Sequence, residues 1–392
     1  MKRVVVGLSG GVDSSVAAHL LIEQGYEVIG MFMRNWHDES VTISDDCPWI
    51  EDSNDALLIA QELGIPFQVI DLSQEYRERI VDYMFAEYEA GRTPNPDVLC
   101  NREIKFDVFL NAAMELGADY IATGHYCRKV EHDNGTFGLL SGLDPGKDQS
   151  YFLCQLKQEQ LAKALFPIGE LQKSEVREIA RNMGLHTADK KDSQGLCFVG
   201  KISLPQFLQQ QLKAKKGEVI EIPQSLLAFD TYDQIPVDIE HVKELAQPFT
   251  YEKEQGIVVA EHQGAHFYTI GQRKGLNIGG RPEPSFVIGL DVEKNLVYSG
   301  QTDEHSGLNR WALKVQKQDF NFVNTNYNFK DIDNLKCSLR IRYRQAHQDG
   351  TVVINDDGIF ILFDQKQRGI TPGQFAAIYV KDELIASGVI EH

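Results

Sequence analysis

Residues 4–21 read VVVGLSGGVDSSVAAHLL, and the fold turns on this stretch. Three successive valines make a buried strand. Val16, Ala17, Leu20 and Leu21 then recur at helical spacing, and Gly25 ends the helix. The intervening turn, Ser9 to Ser15, joins strand to helix, where backbone N–H groups are unpaired and attract anions. Gly10 and Gly11 let a phosphate reach the backbone without meeting a Cβ. Ser9, Ser14 and Ser15 add hydroxyl donors. Asp13 beside a phosphate implies a bridging cation, so Mg²⁺ is expected with the nucleotide. The turn lacks the lysine of a G-x-x-x-x-G-K-[ST] loop and does not match G-x-G-x-x-G.

Outward from this loop, strand and helix alternate for 200 residues. Strands are expected at 26–33, 66–72 and 119–126, and helices at 52–64, up to about 90, and at 102–117. This is the pattern of a doubly wound α/β domain, assigned to 1–205, with a parallel sheet and ligands at the carboxyl ends of its strands. Beyond 205 the long helices stop. Residues 206–285 read as a small β-rich central domain with a strand running into the Gly-rich loop of GAHFYTIGQRKGLNIGG (264–280). Residues 286–392 read as a C-terminal β-barrel, with NDDG (355–358) and KDE (381–383) as hairpin turns.

The chain has 392 residues and a net charge of −18. Taken alone, that opposes nucleic-acid binding. The charge is uneven, however. Residues 217–262 hold ten acids against Lys243 and Lys253, whereas basic residues gather at 212–216, 271–275 and 339–344. No apolar run is long enough for a membrane helix, and no leader precedes the first strand, so a cytoplasmic protein is expected. The six cysteines (47, 100, 127, 154, 197 and 337) form no C-x-x-C pair, so a zinc ribbon is not expected, and no residue is assigned as a metal ligand.

Several stretches resemble known sequences. SGGVDS is similar to the pyrophosphate loop of the ATP pyrophosphatases, which attack the α-phosphorus of ATP and adenylate a substrate. Two cysteine-bearing stretches, GRTPNPDVLCNREIKF (91–106) and KKDSQGLCFVG (190–200), narrow the choice, since amide-forming members need no thiol. Together with ATGHY (122–126), KDQSYFL (147–153), YTIGQRKGL (268–276) and RYRQ (342–345), they resemble the tRNA-specific 2-thiouridylases over most of the chain. The acidic stretch from about 219 to 256 fits least and reads as an insertion.

The resemblance implies an ATP-dependent 2-thiolation of wobble uridine 34. Adenylation makes the 2-oxygen a leaving group, and a persulfide on Cys197 supplies sulfur. Cys100 then releases that sulfur by thiol exchange, leaving a Cys100–Cys197 disulfide. Asp97 is the implied acid/base, although an N-cap role is the alternative. Gly7, Leu8, Ser9, Gly10, Gly11, Val12, Asp13, Ser14, Met33 and Gly124 are implied to hold ATP. Asn95, Pro96, Asp97, His125, Lys147, Asp148, Gln149, Arg342, Tyr343 and Gln345 are implied to meet the tRNA anticodon stem-loop. A persulfide-carrying protein of a cysteine-desulfurase relay is the implied sulfur donor. Lys190 or Lys191 is placed to stabilise a thiolate. Plainer alternatives stay open: a core hydrogen bond for His125, a solvated barrel face for the arginines, and burial for either cysteine. Two rival functions also remain, an amide-forming ligase and an ATP-sensing tRNA-binding module.

Overall fold

In the computed structural model, which describes residues 1–35, 48–191, 207–209 and 211–391, the opening valines form β1 (Arg3–Gly7). Helix α1 (Val12–Glu23), β2 (Glu27–Arg34), helix α2 (Pro48–Leu63), β3 (Phe67–Asp71) and β4 (Tyr120–Ala122) follow. A hairpin of β5 (Cys127–Glu131) and β6 (Phe137–Ser141) precedes β7 (Ala164–Leu165). The first sheet runs β3-β2-β1-β4-β7, with every pair parallel. Alternate valines of β1 serve opposite faces, as the period of a strand demands. Val4 and Val6 share a core with Leu21 and Ile59, while Val5 shares one with Phe109 and Leu110. Both faces are therefore covered, which is the doubly wound arrangement.

One helical stretch departs from expectation. The helix expected at 102–117 begins at Pro96 and runs to Glu115, with wide turns from Cys100 to Val108. Proline is well placed at a first helical position because its missing N–H is not needed there. Cys100 consequently lies inside a helix rather than after a loop.

The central sheet comprises β8 (Gly217–Glu221), β9 (Ile257–His262), β10 (Ser285–Asp291) and β11 (Leu296–Gln301), in the order β10-β11-β8-β9. The expected division after residue 285 thus falls at the first residue of a strand belonging to the central sheet. The parallel pairing of β11 with β8 joins segments far apart in sequence, which a local hairpin pattern does not reveal. Residues 264–280 contain a short helical turn, Ala265–Phe267, where a strand was expected. The strand lies earlier, at β9.

The barrel is built from β12 (Asn309–Val315), β13 (Asn321–Phe322), β14 (Lys336–Arg340), β15 (Gln348–Asn355), β16 (Gly358–Arg368), β17 (Phe375–Val380) and β18 (Glu383–Val389). The order is β12-β16-β15-β14-β17-β18, and a bridge from Val315 to Ile390 closes it. Asn355 pairs with Gly358 and Val380 with Glu383, so both expected turns form. Hairpin β5–β6 adds itself to this sheet through Glu383 and Leu140, tying the first domain to the last. The acidic insertion packs on the barrel: Tyr232, Val242 and Leu245 share a core with Ala312 and Phe360. Lys366 pairs with Asp233 at 2.6 Å and Lys243 with Asp357 at 2.9 Å. Among the described residues, no helix is long and apolar enough to cross a membrane.

Candidate nucleotide site and cysteine helix

The turn after β1 sits at the carboxyl end of the sheet. Gly10 has φ +70°, and a Cβ there would lie 2.3 Å from the carbonyl oxygen of Asp52. Both facts require glycine. At Gly11 a Cβ would meet nothing nearer than Ser9 Oγ at 3.4 Å, so its bareness serves access rather than packing. The serines brace the turn. Ser14 Oγ accepts from Ser9 N at 3.1 Å and donates to Gly11 O at 3.2 Å, while Ser15 Oγ donates to Gly11 O at 2.8 Å. Ser15 is fully buried, so its hydroxyl holds the loop instead of facing a ligand. Gly124, at the end of β4, lies against the loop backbone; a Cβ there would approach Ser14 N to 2.7 Å. Leu8, Val12 and Met33 are core side chains, which leaves only their backbones for a nucleotide. Gly7 packs on Phe109, with 3.6 Å from its Cβ position to the ring.

Asp13 faces a cation already present in the chain. Lys173 Nζ donates to its two oxygens at 2.7 and 2.8 Å, and Tyr126 Oη donates at 2.7 Å. An ammonium from far downstream thus meets the charge that seemed to call for a metal. The acid alone therefore does not require Mg²⁺. Gln149 Oε1 accepts from the backbone N–H of Tyr126 at 3.0 Å, so this glutamine supports the loop through Tyr126. Lys190 is also committed here. Its Nζ donates to Gly10 O at 3.2 Å, Asp52 Oδ1 at 2.8 Å and Asp55 Oδ2 at 2.5 Å. The expectation that Lys190 stabilises a thiolate gives way to this set of contacts. Nothing in the local sequence announces Lys173, Tyr126 or Lys190 as loop partners; long-range folding assembles them.

Asn95 is the N-cap of the cysteine helix. Its Oδ1 accepts from Val98 N at 3.2 Å, and its Nδ2 donates to Gln374 Oε1 at 3.2 Å. Its amide therefore caps a helix and bridges to the barrel, where contact with a base was expected. Pro96 is buried at the first helical position, and Asp97 is half-buried in the first turn. An acid there is favoured by the helix dipole. Cys100 is 0% exposed, in a core with Tyr151, Leu153 and Cys154. Cys197 and Cys47 lie outside the described residues. Chain on either side of the Cys197 segment is anchored, by Lys190 at the loop and by Phe207 stacked on Phe85 at 5.4 Å. Burial pushes the Cys154 and Cys337 thiols up to about 12 and that of Cys127 well up, which suits structural residues.

Several expected RNA contacts are engaged internally. Asp148 is 4% exposed and ion-paired with Arg340, and it accepts from Gly142 N at 2.9 Å and Ser150 N at 3.1 Å. It links the 142–150 loop to the barrel. His125 is buried beside Phe106 and Phe166, bonded to Thr123 Oγ1 at 2.7 Å. Burial, then the Lys105 charge, holds its imidazole well below the usual range. The core alternative therefore describes it. Gln345 bonds Ile341 N at 2.9 Å and Gln367 at 3.0 Å. Tyr343 lies on Phe152 with ring centres 4.2 Å apart. Lys147 is half-buried. Arg342 is half-buried too, and burial followed by the neighbouring Arg368 lowers its pKa. It is a half-buried positive charge with a second one, Arg368, in its neighbourhood.

Family profiles match this chain in three parts: a tRNA methyl transferase HUP domain at 2–201, a tRNA methyl transferase PRC-barrel domain at 240–301, and an aminomethyltransferase beta-barrel domain at 314–390. Relatives named tRNA-specific 2-thiouridylase MnmA match throughout. That of Christiangramia forsetii is 58% identical over 397 residues, covering 100% of both chains. That of Streptococcus pyogenes serotype M2 is 44% identical, covering 99% of this chain and 95% of its own. A solved 4-thiouridine synthetase–RNA complex with bound ATP is similar at 18% identity and TM-score 0.31, over 54% of this chain and 50% of that one; a likeness this distant carries no weight.

Proposed function

The chain belongs to the tRNA-specific 2-thiouridylase family, and on that premise we propose that it replaces the 2-oxygen of uridine 34 in tRNA with sulfur, consuming ATP. The observation that carries this reading is the junction of two parts. A bare glycine turn lies at the carboxyl end of the sheet, and the helix bearing Cys100 leans through Phe109 on Gly7 at the base of that turn.

ATP enters with its phosphates at the amide of Gly11, and Mg²⁺, when bound, would offset phosphate charge. The uridine 2-oxygen attacks the α-phosphorus, pyrophosphate leaves, and the 2-oxygen is now an AMP ester. The terminal sulfur of a Cys197 persulfide attacks C2. Cys100, as a thiolate, attacks Cys197 Sγ; the S–S bond breaks, sulfur stays on the ring, and AMP departs. A Cys100–Cys197 disulfide remains for an external reductant. Asp97, three residues before Cys100, is the acid/base for these proton transfers. Because Cys100 is fully buried, sulfur transfer requires the cysteine helix or its cover to shift.

Arg342 and Lys147 are the residues we assign to phosphates of the anticodon stem-loop, with the barrel as the RNA platform. A persulfide-bearing relay protein loads Cys197. The substrate puts the reaction in the cytoplasm. The deciding experiment combines purified protein, ATP, Mg²⁺, a cysteine desulfurase with free cysteine as the persulfide source, and unmodified tRNA, followed by a gel that retards thiolated RNA. A retarded band that depends on ATP is expected; its absence with an active sulfur supply sinks the proposal.

A further inference from the structure

We infer that Lys190 is a positioning residue that aims the phosphate-binding amide of Gly11. This deepens the ATP site proposed above and rests on it. In a planar trans peptide the C=O and the following N–H point in opposite directions. Whatever holds the carbonyl of Gly10 therefore also directs the N–H of Gly11. Lys190 Nζ holds that carbonyl at 3.2 Å. The next peptide is treated the same way from within the loop, because Ser14 and Ser15 both donate to Gly11 O and so direct the N–H of Val12. Gly11 is extended (φ −106°, ψ 165°), so these two amides face opposite sides, and the one that Lys190 sets is that of Gly11, where no Cβ stands in the way.

Lys190 is fixed for this work. Asp52 and Asp55, one turn apart on α2, take its remaining donors at 2.8 and 2.5 Å. His186 approaches Asp55 at 3.3 Å and Glu62 at 3.1 Å, extending the same surface. The Asp52 backbone itself lies over Gly10, as the 2.3 Å approach to a Cβ there shows. Lysine, α2 and the loop carbonyl are thus one unit. Its ammonium is neutralised by two carboxylates and has no charge to spare for a phosphate. Lys190 consequently acts through the peptide rather than by touching the ligand.

The test is calorimetric binding of α,β-methylene-ATP with Mg²⁺, whose bridging carbon prevents turnover, alongside tRNA binding and thermal melting. Lys190→Met keeps the aliphatic stem and removes the donor; Lys190→Arg keeps a donor. Affinity for the analogue is expected to fall about tenfold in Lys190→Met, the effect of one charge-assisted hydrogen bond, and to recover within about threefold in Lys190→Arg. The KM for ATP should rise with it, while tRNA affinity stays at the wild-type value. Unchanged analogue affinity in Lys190→Met overturns the inference. An equal loss of analogue and tRNA binding overturns it as well, since that marks a general structural role. Wild-type protein that binds no analogue removes the ATP reading itself, and the inference falls with it.

Discussion

The two halves of the proposed site are built differently. Around the phosphate loop the acid and two carbonyls are answered: Asp13 by Lys173 and Tyr126, Gly10 O by Lys190, and Gly11 O by two serines. The amides that remain are those a ligand would use. Along the cysteine helix the reverse holds. Asn95 spends its amide on capping and on Gln374, and Cys100 is sealed in an apolar core. One half is preorganised for an anion, and the other is closed to its partner. The contrast suits the chemistry, because a shut thiol cannot be consumed before an activated base arrives. It also means that variants at the two ends should fail in separate ways.

The largest separation is expected from Cys100→Ser. Thiolated tRNA should fall by at least about a hundredfold, since a catalytic nucleophile is lost. Binding of α,β-methylene-ATP should stay at the wild-type value. A variant that still thiolates tRNA at the full rate would remove Cys100 from the chemistry. Next comes Asp148→Ala, which strands the buried guanidinium of Arg340. Removing one partner of a buried pair costs about 3–5 kcal/mol, so a thermal melt should shift down clearly. Below that melt, tRNA affinity should be retained. An unshifted melt with lost tRNA binding would restore Asp148 as an RNA contact.

These two residues also show what was legible beforehand. The phosphate loop was readable because its chemistry is local: a strand, a glycine turn and a helix start lie within 18 residues. The barrel was readable from its turns, since two-residue loops such as 356–357 set their own hairpins. What escaped was long-range. No pattern near Asp13 indicates Lys173, so a metal was invoked where the fold provides an ammonium. Hairpin β5–β6 looked like part of the first domain, yet it pairs with β18 of the barrel. Polar residues in a motif also read naturally as ligand contacts. Within the fold Asn95, Asp148 and Gln345 serve as a cap, a strut and a turn clamp, roles that motif membership does not reveal because it does not say which way a side chain points.

Arg342 is where the comparison can be sharpened with salt. Asp148 and Gln345 have their partners inside the fold, whereas Arg342 lies half-buried beside Arg368. If it meets an RNA phosphate, Arg342→Gln should reduce the slope of log affinity against log salt by about one. Affinity at moderate salt should fall several-fold, equally for different tRNA sequences. A slope unchanged from wild type would remove Arg342 from the interface.

The smallest effect concerns His125, between the two halves. Burial and Lys105 depress its pKa, so the folded protein keeps it neutral where the unfolded chain, with an ordinary value near 6.5, begins to bind a proton. The unfolded state then holds more protons, and stability rises with pH through that window. The contribution is complete above about pH 6.5 and is lost progressively as pH falls below it, by at most about 1.4 kcal/mol per pH unit. Urea unfolding of wild type and His125→Asn at pH 7.5, 6.5 and 5.5 measures it. The variant should be less stable at pH 7.5, having lost the bond to Thr123, but should lose less on acidification. Parallel curves would show that this imidazole ionises in place, and would return it to the open, ligand-facing end of the molecule.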